Sequence, residues 1–530
     1  MKNYISLLLT ALLALSCNDF LNELPDNRTQ LDTQGKIKEL LITAYPAANY
    51  ALIAEFSSDN IIDNQAPVAN TSYPAGAFDR MDTDIFEWKE DITGAEEDSP
   101  YYLWSEYYQS IASANHALKA IEKLEQEGAQ ENMNPQKGEA LLIRAYSHFM
   151  LVNIFAKTFK DAEKSATDPG IPYVTEPVNT VQPLYERNSV AKVYELIAND
   201  IEAGIDLIDD HAYAAATAQY HFNTNAAHAF ASQFYLYKRD YEKVIFHADR
   251  VLGAGNPSPL LRNWYIIHNN FETEANAYVD AENPANLLII PTTSIYSRRF
   301  FETRYGWKGP ITEGNDEAGP NWSGRHLFVS GWSGSGGNYG YIEAKINEYF
   351  EYTDKVAEIG YAHVMRTEFT TDDALLNRAE AKIMLNRMDD AVKDLEYWTA
   401  SHTATQPLTK EKITNFYRAG RAGFVFRFHT EELSPDFIVA AAQKPFVDCV
   451  LHFRRLERVL EGHRWFDLKR YGIEITHVAG ASSQKITLTY DDDRRAIQIP
   501  RDVIGAGLAP NPREQEAPKP LAIVRPAQRI

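Results

Sequence analysis

The fourteen histidines, two cysteines and seventy-three acidic side chains of this 530-residue chain are its candidates for bond-breaking or metal binding, and their spacing excludes several familiar chemistries. No histidine is followed by glutamate, so the His-Glu-x-x-His pair of a zinc hydrolase is absent. Gly331-Trp-Ser333-Gly-Ser335 approaches a nucleophile elbow and fails at its fifth position, where Ser335 replaces glycine. Gly334-Ser-Gly336-Gly-Asn-Tyr339 fails as a dinucleotide loop at its last glycine. Carboxylates are numerous enough for a glycosidase pair, yet no short stretch singles one out. Asp82-Thr-Asp84 offers two carboxylates to a possible calcium ion without the twelve-residue frame of a calcium loop, and no other cofactor is called for.

The charge balance is 52 basic against 73 acidic residues, a net −21 that excludes nucleic acid as a main partner. Cys17 and Cys449 are too few for a disulfide scaffold. Lys2 precedes an apolar run from Tyr4 to Leu15, shorter than the ~20 residues a membrane span needs, and the run ends at Ser16-Cys17. Residues 1–16 are therefore expected to be a lipoprotein signal peptide, with the Cys17 thiol accepting the lipid. Each buried acyl CH₂ would contribute about 0.8 kcal/mol to holding the chain at a membrane. Residues 17–35, polar and containing Pro25, suit a lipidated tether, and 36–530 a single globular domain.

Helical periodicity dominates from about Leu103. Trp104, Tyr107, Tyr108, Ile111, Leu118 and Ile121 form one apolar stripe, and a second helix opens at Asn134-Pro135, read as a cap followed by a first-turn proline. Ser189 caps a third helix. Ala226–Tyr237 and Tyr241–Leu252, joined by Lys238-Arg-Asp240, set small against large residues as a tetratricopeptide hairpin does, and the pattern returns at about 372–398. No 34-residue period spans the chain, so these are separate hairpins in one mainly α globule with a few short strands, such as Leu287–Ile290. Between about 279 and 341 the character changes: residues 306 to 340 hold ten of the 27 glycines and three of the eight tryptophans, a loop-rich insertion of the kind that carries function.

Several segments together resemble the SusD/RagB family of outer-membrane nutrient-binding lipoproteins of Bacteroidetes-type bacteria. They are Cys17-Asn-Asp-Phe-Leu-Asn-Glu-Leu-Pro25, Trp104-x-x-Tyr107-Tyr108-x-x-Ile111-x-x-Ala114-Asn115, Gly138-Glu-Ala-Leu-Leu-Ile-Arg144-Ala-Tyr146 and Leu376-Asn-Arg378-Ala-Glu380-Ala381. The most specific is Glu457-Arg458-x-x-Glu461-Gly-His-Arg464-Trp465-Phe466-Asp467-Leu468-Lys-Arg470-Tyr-Gly472, followed by Ile497-Gln-Ile-Pro500. The mixed charges of this last motif fall at helical spacing and are expected to form a buried scaffold network rather than an acid/base pair.

The resemblance implies a non-catalytic, lipid-anchored protein on the cell surface that captures an oligosaccharide, or in RagB-type members a peptide, for a SusC-like TonB-dependent transporter in the outer membrane. Sugar binding requires flat aromatics to stack on and polar groups at the rim. The insertion offers Trp307, Trp322, Trp332 and Tyr339 with Asn321, Arg325 and Asn338. The resemblance adds the segment Ser58–Trp88, with Asp59, Asn60, Tyr73, Asp79 and Arg80. A surface glycoside hydrolase with an unrecognised carboxylate pair, or a fimbria-like lipoprotein binding only proteins, are the alternatives.

Overall fold

The computed structural model describes residues 30–63, 75–177, 185–264, 271–300, 305–306, 319–322, 332–333, 341–342, 344–402, 406–418, 439–479 and 484–513. The signal peptide and Cys17 lie outside them.

The chain opens with α1 (Gln34–Ile42) and α2 (Ala51–Phe56), then the two-residue strand β1 (Ile62–Asp63) and α3 (Ala75–Phe86). A run of paired helices follows: α4 (Pro100–Gln126), α5 (Asn134–Phe155), α6 (Val190–Ile205), α7 (Thr224–Lys238) and α8 (Tyr241–Leu252), each packed on the next. Their starts follow from capping chemistry. Ser99 Oγ accepts Tyr102 N at 3.1 Å ahead of Pro100, and Ser189 Oγ accepts Lys192 N at 3.2 Å. Asn134 is not the cap of α5; Met133 holds that position and Asn132 Oδ1 accepts Asn134 N at 3.1 Å, so the polar cap is drawn from the preceding turn. Between α7 and α8, Arg239 takes the left-handed conformation at φ 63°, which lets Asp240 cap the next helix.

The α5–α6 crossing depends on two glycines. A Cβ on Gly138 would stand 2.8 Å from Gly204 O, and one on Gly204 would stand 3.0 Å from Gly138 O, so the two backbones approach as no larger residue allows. Arg144 of α5 completes the crossing with a bidentate pair to Asp200 of α6, both contacts 2.7 Å.

After α9 (Phe271–Tyr278), β2 (Asn286–Thr293) enters a three-stranded antiparallel sheet of order β2-β7-β6, with β6 at Glu348–Asp354 and β7 at Ile359–Thr370. Short strands β3 (Tyr305–Gly306), β4 (Trp332–Ser333) and β5 (Tyr341–Ile342) come from the insertion. β7 runs straight into α10 (Thr371–Met384), capped by Thr370, and α11 (Met388–His402) returns against it to complete the hairpin expected near 372–398. α12 (Lys410–Phe416), α13 (Lys444–Glu457), α14 (His463–Tyr471), the β8–β9 hairpin (Ile475–Ala479, Gln484–Leu488) and α15 (Arg501–Gly505) close the body. Among the described residues no helix is long and apolar enough to cross a membrane. Cys449 is buried.

The expected scaffold network is present. Glu380 of α10 receives Arg454 of α13 at 2.6 Å, and Arg470 and Tyr471 of α14 at 2.8 and 2.7 Å; Asp467 receives Arg454 at 3.1 Å and Arg470 at 2.7 Å. Burial raises the Glu380 carboxyl, and Arg470 and Arg454 more than offset it, leaving it at about 2. Replacing Glu380 with Ala leaves Asp467 as the one remaining carboxylate for two buried guanidinium groups and is expected to lower the unfolding free energy by about 3–5 kcal/mol in urea titration. Gly204→Leu, which forces α5 and α6 apart, should lower it by about 1–3 kcal/mol.

Candidate functional site

The two segments expected to meet a ligand are brought together by backbone pairing. β1 and β3 are antiparallel, with Ile62 opposite Gly306 and Asp63 opposite Tyr305, so the 58–88 segment joins the start of the 306–341 insertion. Tyr305 fixes the join: its hydroxyl lies 2.8 Å from Thr83 Oγ1, and its ring packs 4.9 Å from Phe86 and 5.7 Å from Phe56. The far end of the insertion returns to the same place. β4 pairs with β5, Trp332 opposite Ile342, and β5 and β3 both contact the turn Tyr296–Phe300. From that turn Arg299 reaches Asp82 of α3 at 3.3 Å.

The floor beneath is tied to the helical body by the arginines of the 455–464 region. Asp59 takes Arg464 Nε and Nη2, both at 2.8 Å, and Arg455 at 3.5 Å. Asn60 Oδ1 accepts Arg455 Nε at 2.7 Å. Burial raises the Asp59 carboxyl, and Arg455 and Arg464 overcome it, holding the group well below the ordinary carboxylate range. Glu55, one turn earlier, is also buried; it accepts Gly462 N at 2.9 Å and Asn60 Nδ2 at 2.7 Å. Burial dominates there and lifts the carboxyl from 4.5 to about 7. His477 of β8 lies between the rings of Phe86 and Trp88, at 4.1 and 4.0 Å, with its nitrogens 2.7 Å from Phe86 O and Ser58 O. Burial holds its pKa below the usual histidine value against those two carbonyls.

The expected residues fall into three groups. Asp59 is half-buried on Arg464, and Arg80 is exposed beside Asp84, with Asp79 on the same helix α3. Trp332 is placed by its backbone in β4. Trp307, Tyr339, Arg325, Asn338 and Tyr73 lie outside the described residues. Trp322 and Asn321 are placed differently from the expectation that each faces a ligand. Trp322 is 8% exposed, its indole 5.6 Å from Phe453 and 6.1 Å from His452 of α13, while Asn321, 6% exposed, donates to Thr399 Oγ1 and Gln406 O at 3.0 and 2.8 Å. Both pin the insertion to the helical body, because an indole gains more from a full aromatic contact than from one wet face. Asp82, considered for calcium, faces Arg299 instead, and no trio of His, Cys, Asp or Glu suited to a metal gathers among the described residues.

Sequence reasoning missed Tyr305, Arg299 and His477. Tyr305 had a signal, since it closes the aromatic and basic run Tyr296-Ser-Arg-Arg-Phe-Phe-Glu-Thr-Arg-Tyr305 next to the insertion. His477 had none, because its partners are backbone carbonyls distant in sequence. Among the described carboxylates of the floor, Glu55 accepts hydrogen bonds and Asp59 and Asp82 face arginines. Elsewhere a cavity of about 250 Å³ opens between α4, Pro172, Val174 and Tyr185, and the α15 region, lined also by Trp104, Tyr108, Val503 and Leu508. None of the expected ligand residues lines it.

Two family models match the chain, one described as "Starch-binding associating with outer membrane" over residues 19–236 and one as the SusD family over residues 315–503. The chain belongs to the SusD family. Solved structures agree in fold. A SusD superfamily protein from Bacteroides fragilis has a TM-score of 0.62 at 16% identity, with 89% of this chain and 98% of that one covered. One from Bacteroides thetaiotaomicron gives 0.58 at 18%, covering 91% and 100%. A putative sugar binding protein from Bacteroides vulgatus gives 0.61 at 18%, covering 92% and 99%. Comparison with curated proteins finds no significant match. The mainly α architecture on tetratricopeptide-like hairpins is thus the SusD fold, and the β1–β3 junction is built on its scaffold.

Trp322→Ala is expected to lower the unfolding free energy by about 3–5 kcal/mol in urea while leaving any sugar affinity measured by calorimetry unchanged. Glu55, protonated more readily in the folded chain than in the unfolded one, gives stability that is complete below pH 4.5 and is lost as pH rises through about 7. Glu55→Gln should flatten that part of the pH–stability profile, measured by thermal melts across pH 4 to 8.

Proposed function

We propose that this protein captures an oligosaccharide at the surface where the 58–88 segment and the 306–341 insertion meet, without chemical turnover, and passes it to a SusC-like TonB-dependent transporter. The observation that carries this reading is the β1–β3 pairing, which sets residues 62–63 of one aromatic- and polar-rich segment against residues 305–306, where the other begins. Sugar rings need such a floor, since stacking on an aromatic face and hydrogen bonding at the rim must act together. The family description and the sugar-binding relative support the ligand class.

Trp307 and Trp332 are the stacking residues in this reading, with Tyr339 beside them and Asp79, Arg80, Arg325 and Asn338 at the rim. Tyr73 belongs to the same segment as α3. Cys17 carries the lipid that holds the protein on the outer membrane, facing outward. The family description and the sugar-binding relative support binding over hydrolysis.

Trp307→Ala together with Trp332→Ala is expected to weaken oligosaccharide affinity at least about a hundredfold in isothermal titration, with the melting temperature nearly unchanged. Equal affinity in the double variant would remove the insertion from the site. Release of reducing ends from a polysaccharide panel would make the protein a hydrolase, and binding confined to peptides would place it with RagB-type members.

A further inference from the structure

The far end of the β6–β7 hairpin stands away from the body. Every residue from Phe350 to Ile359 is exposed, including Phe350 (46%), Tyr352 (49%), Val356 (96%) and Ile359 (60%). Two-stranded ribbons are marginal in water, and exposed apolar side chains on one make it more so. This ribbon is held straight by local devices. Phe350 lies across Gly360, where a Cβ would come within 2.8 Å of its ring, and packs edge-on against Tyr352 at 4.9 Å. Tyr361 donates to Glu351 at 2.9 Å on the other face, and Asp354 caps the turn through Val356 N and Ala357 N. At the root, Arg298 grips Glu348 with two contacts of 2.6 Å.

Among the described residues β6 pairs with β7 alone, so its outer edge presents unpaired backbone groups over seven residues. Open edges of this length invite another strand. The side chains select its chemistry. Glu351, Asp354 and Glu358 against Lys355 make the projecting end acidic. A second copy is disfavoured, because antiparallel pairing of β6 with itself about its centre would set Glu351 against Glu351. An anionic lipid surface is repelled by the same charges.

We propose that the outer edge of β6 is a docking site for an extended, lysine- or arginine-rich segment of another protein, which adds a strand to the sheet while its apolar side chains cover Phe350 and Tyr352. The site is independent of the sugar-binding floor, so loss of either leaves the other measurable.

The test uses the mature full-length protein and a short synthetic peptide alternating lysine with valine, with the glutamate counterpart as control. Fluorescence anisotropy should show binding of the lysine peptide and not of the control, and hydrogen exchange should show new protection at residues 349–354. Phe350→Ser with Tyr352→Ser should weaken binding by about tenfold or more, and Glu351→Lys with Glu358→Lys should reverse the preference between the two peptides, both without a change in melting temperature. Equal binding of the two peptides, or protection confined to other elements, overturns the proposal. So does a concentration-dependent dimer abolished by the serine variant, which would make the edge a contact between copies, or flotation with anionic vesicles lost in that variant, which would make it a lipid contact.

Discussion

A set of buried arginines holds this molecule together, each answered by a carboxylate or an amide from a different element. Arg454 and Arg470 converge on Glu380 and Asp467, Arg458 pairs with Asp373 and Glu461, and Arg455 and Arg464 reach Asn60 and Asp59. A guanidinium taken out of water without a partner is strongly unfavourable, so each arginine dictates where its partner's backbone must run. The first two sets weld α10, α13 and α14. The last reaches outward and fixes the turn after α2, from which the candidate binding surface begins.

That constraint explains how a loop-rich surface can be rigid. The 58–60 turn is set by Arg455 and Arg464, the 82–88 stretch by Arg299 and by the His477 sandwich, and Tyr305 closes the join between them. Trp322 and Asn321 then anchor the middle of the insertion to α11 and α13. Loops tied at several points lose little further conformational entropy when they bind, which suits recognition of a polar, weakly hydrophobic sugar.

Much of the body was legible in the sequence. The stripe of Trp104, Tyr107 and Ile111 and the cap at Ser189 follow local rules and stand as expected, whereas the charges from Glu457 to Arg470 are buried as expected but not along one helix: α13 ends at Glu457, α14 begins at His463, and Leu460 and Gly462 take positive φ between them. The β6–β7 hairpin was not foreseen: its alternation of Glu, Tyr and Phe mixes polar and apolar residues on both faces, because much of it faces water on both sides. The direction of Trp322 was equally closed to sequence reasoning. A tryptophan in a glycine-rich stretch reads the same whether its indole meets a ligand or Phe453, and only the position of α13, fixed by contacts more than a hundred residues away, decides. The join of Tyr305 to Asp63 is a pairing of this long-range kind, and no local periodicity encodes it.

The central claim is that a floor welded to the helical body by buried arginines binds sugar and does nothing more to it. Hydrogen exchange with mass spectrometry, run with and without the best oligosaccharide from a binding panel and with the sugar analysed afterwards, tests it most directly. The account predicts new protection in peptides spanning 57–63, 80–90 and 305–306, no change across α4 to α8, and sugar recovered intact. Protection centred on the helical hairpins, or shortened sugar in the recovered sample, would contradict it.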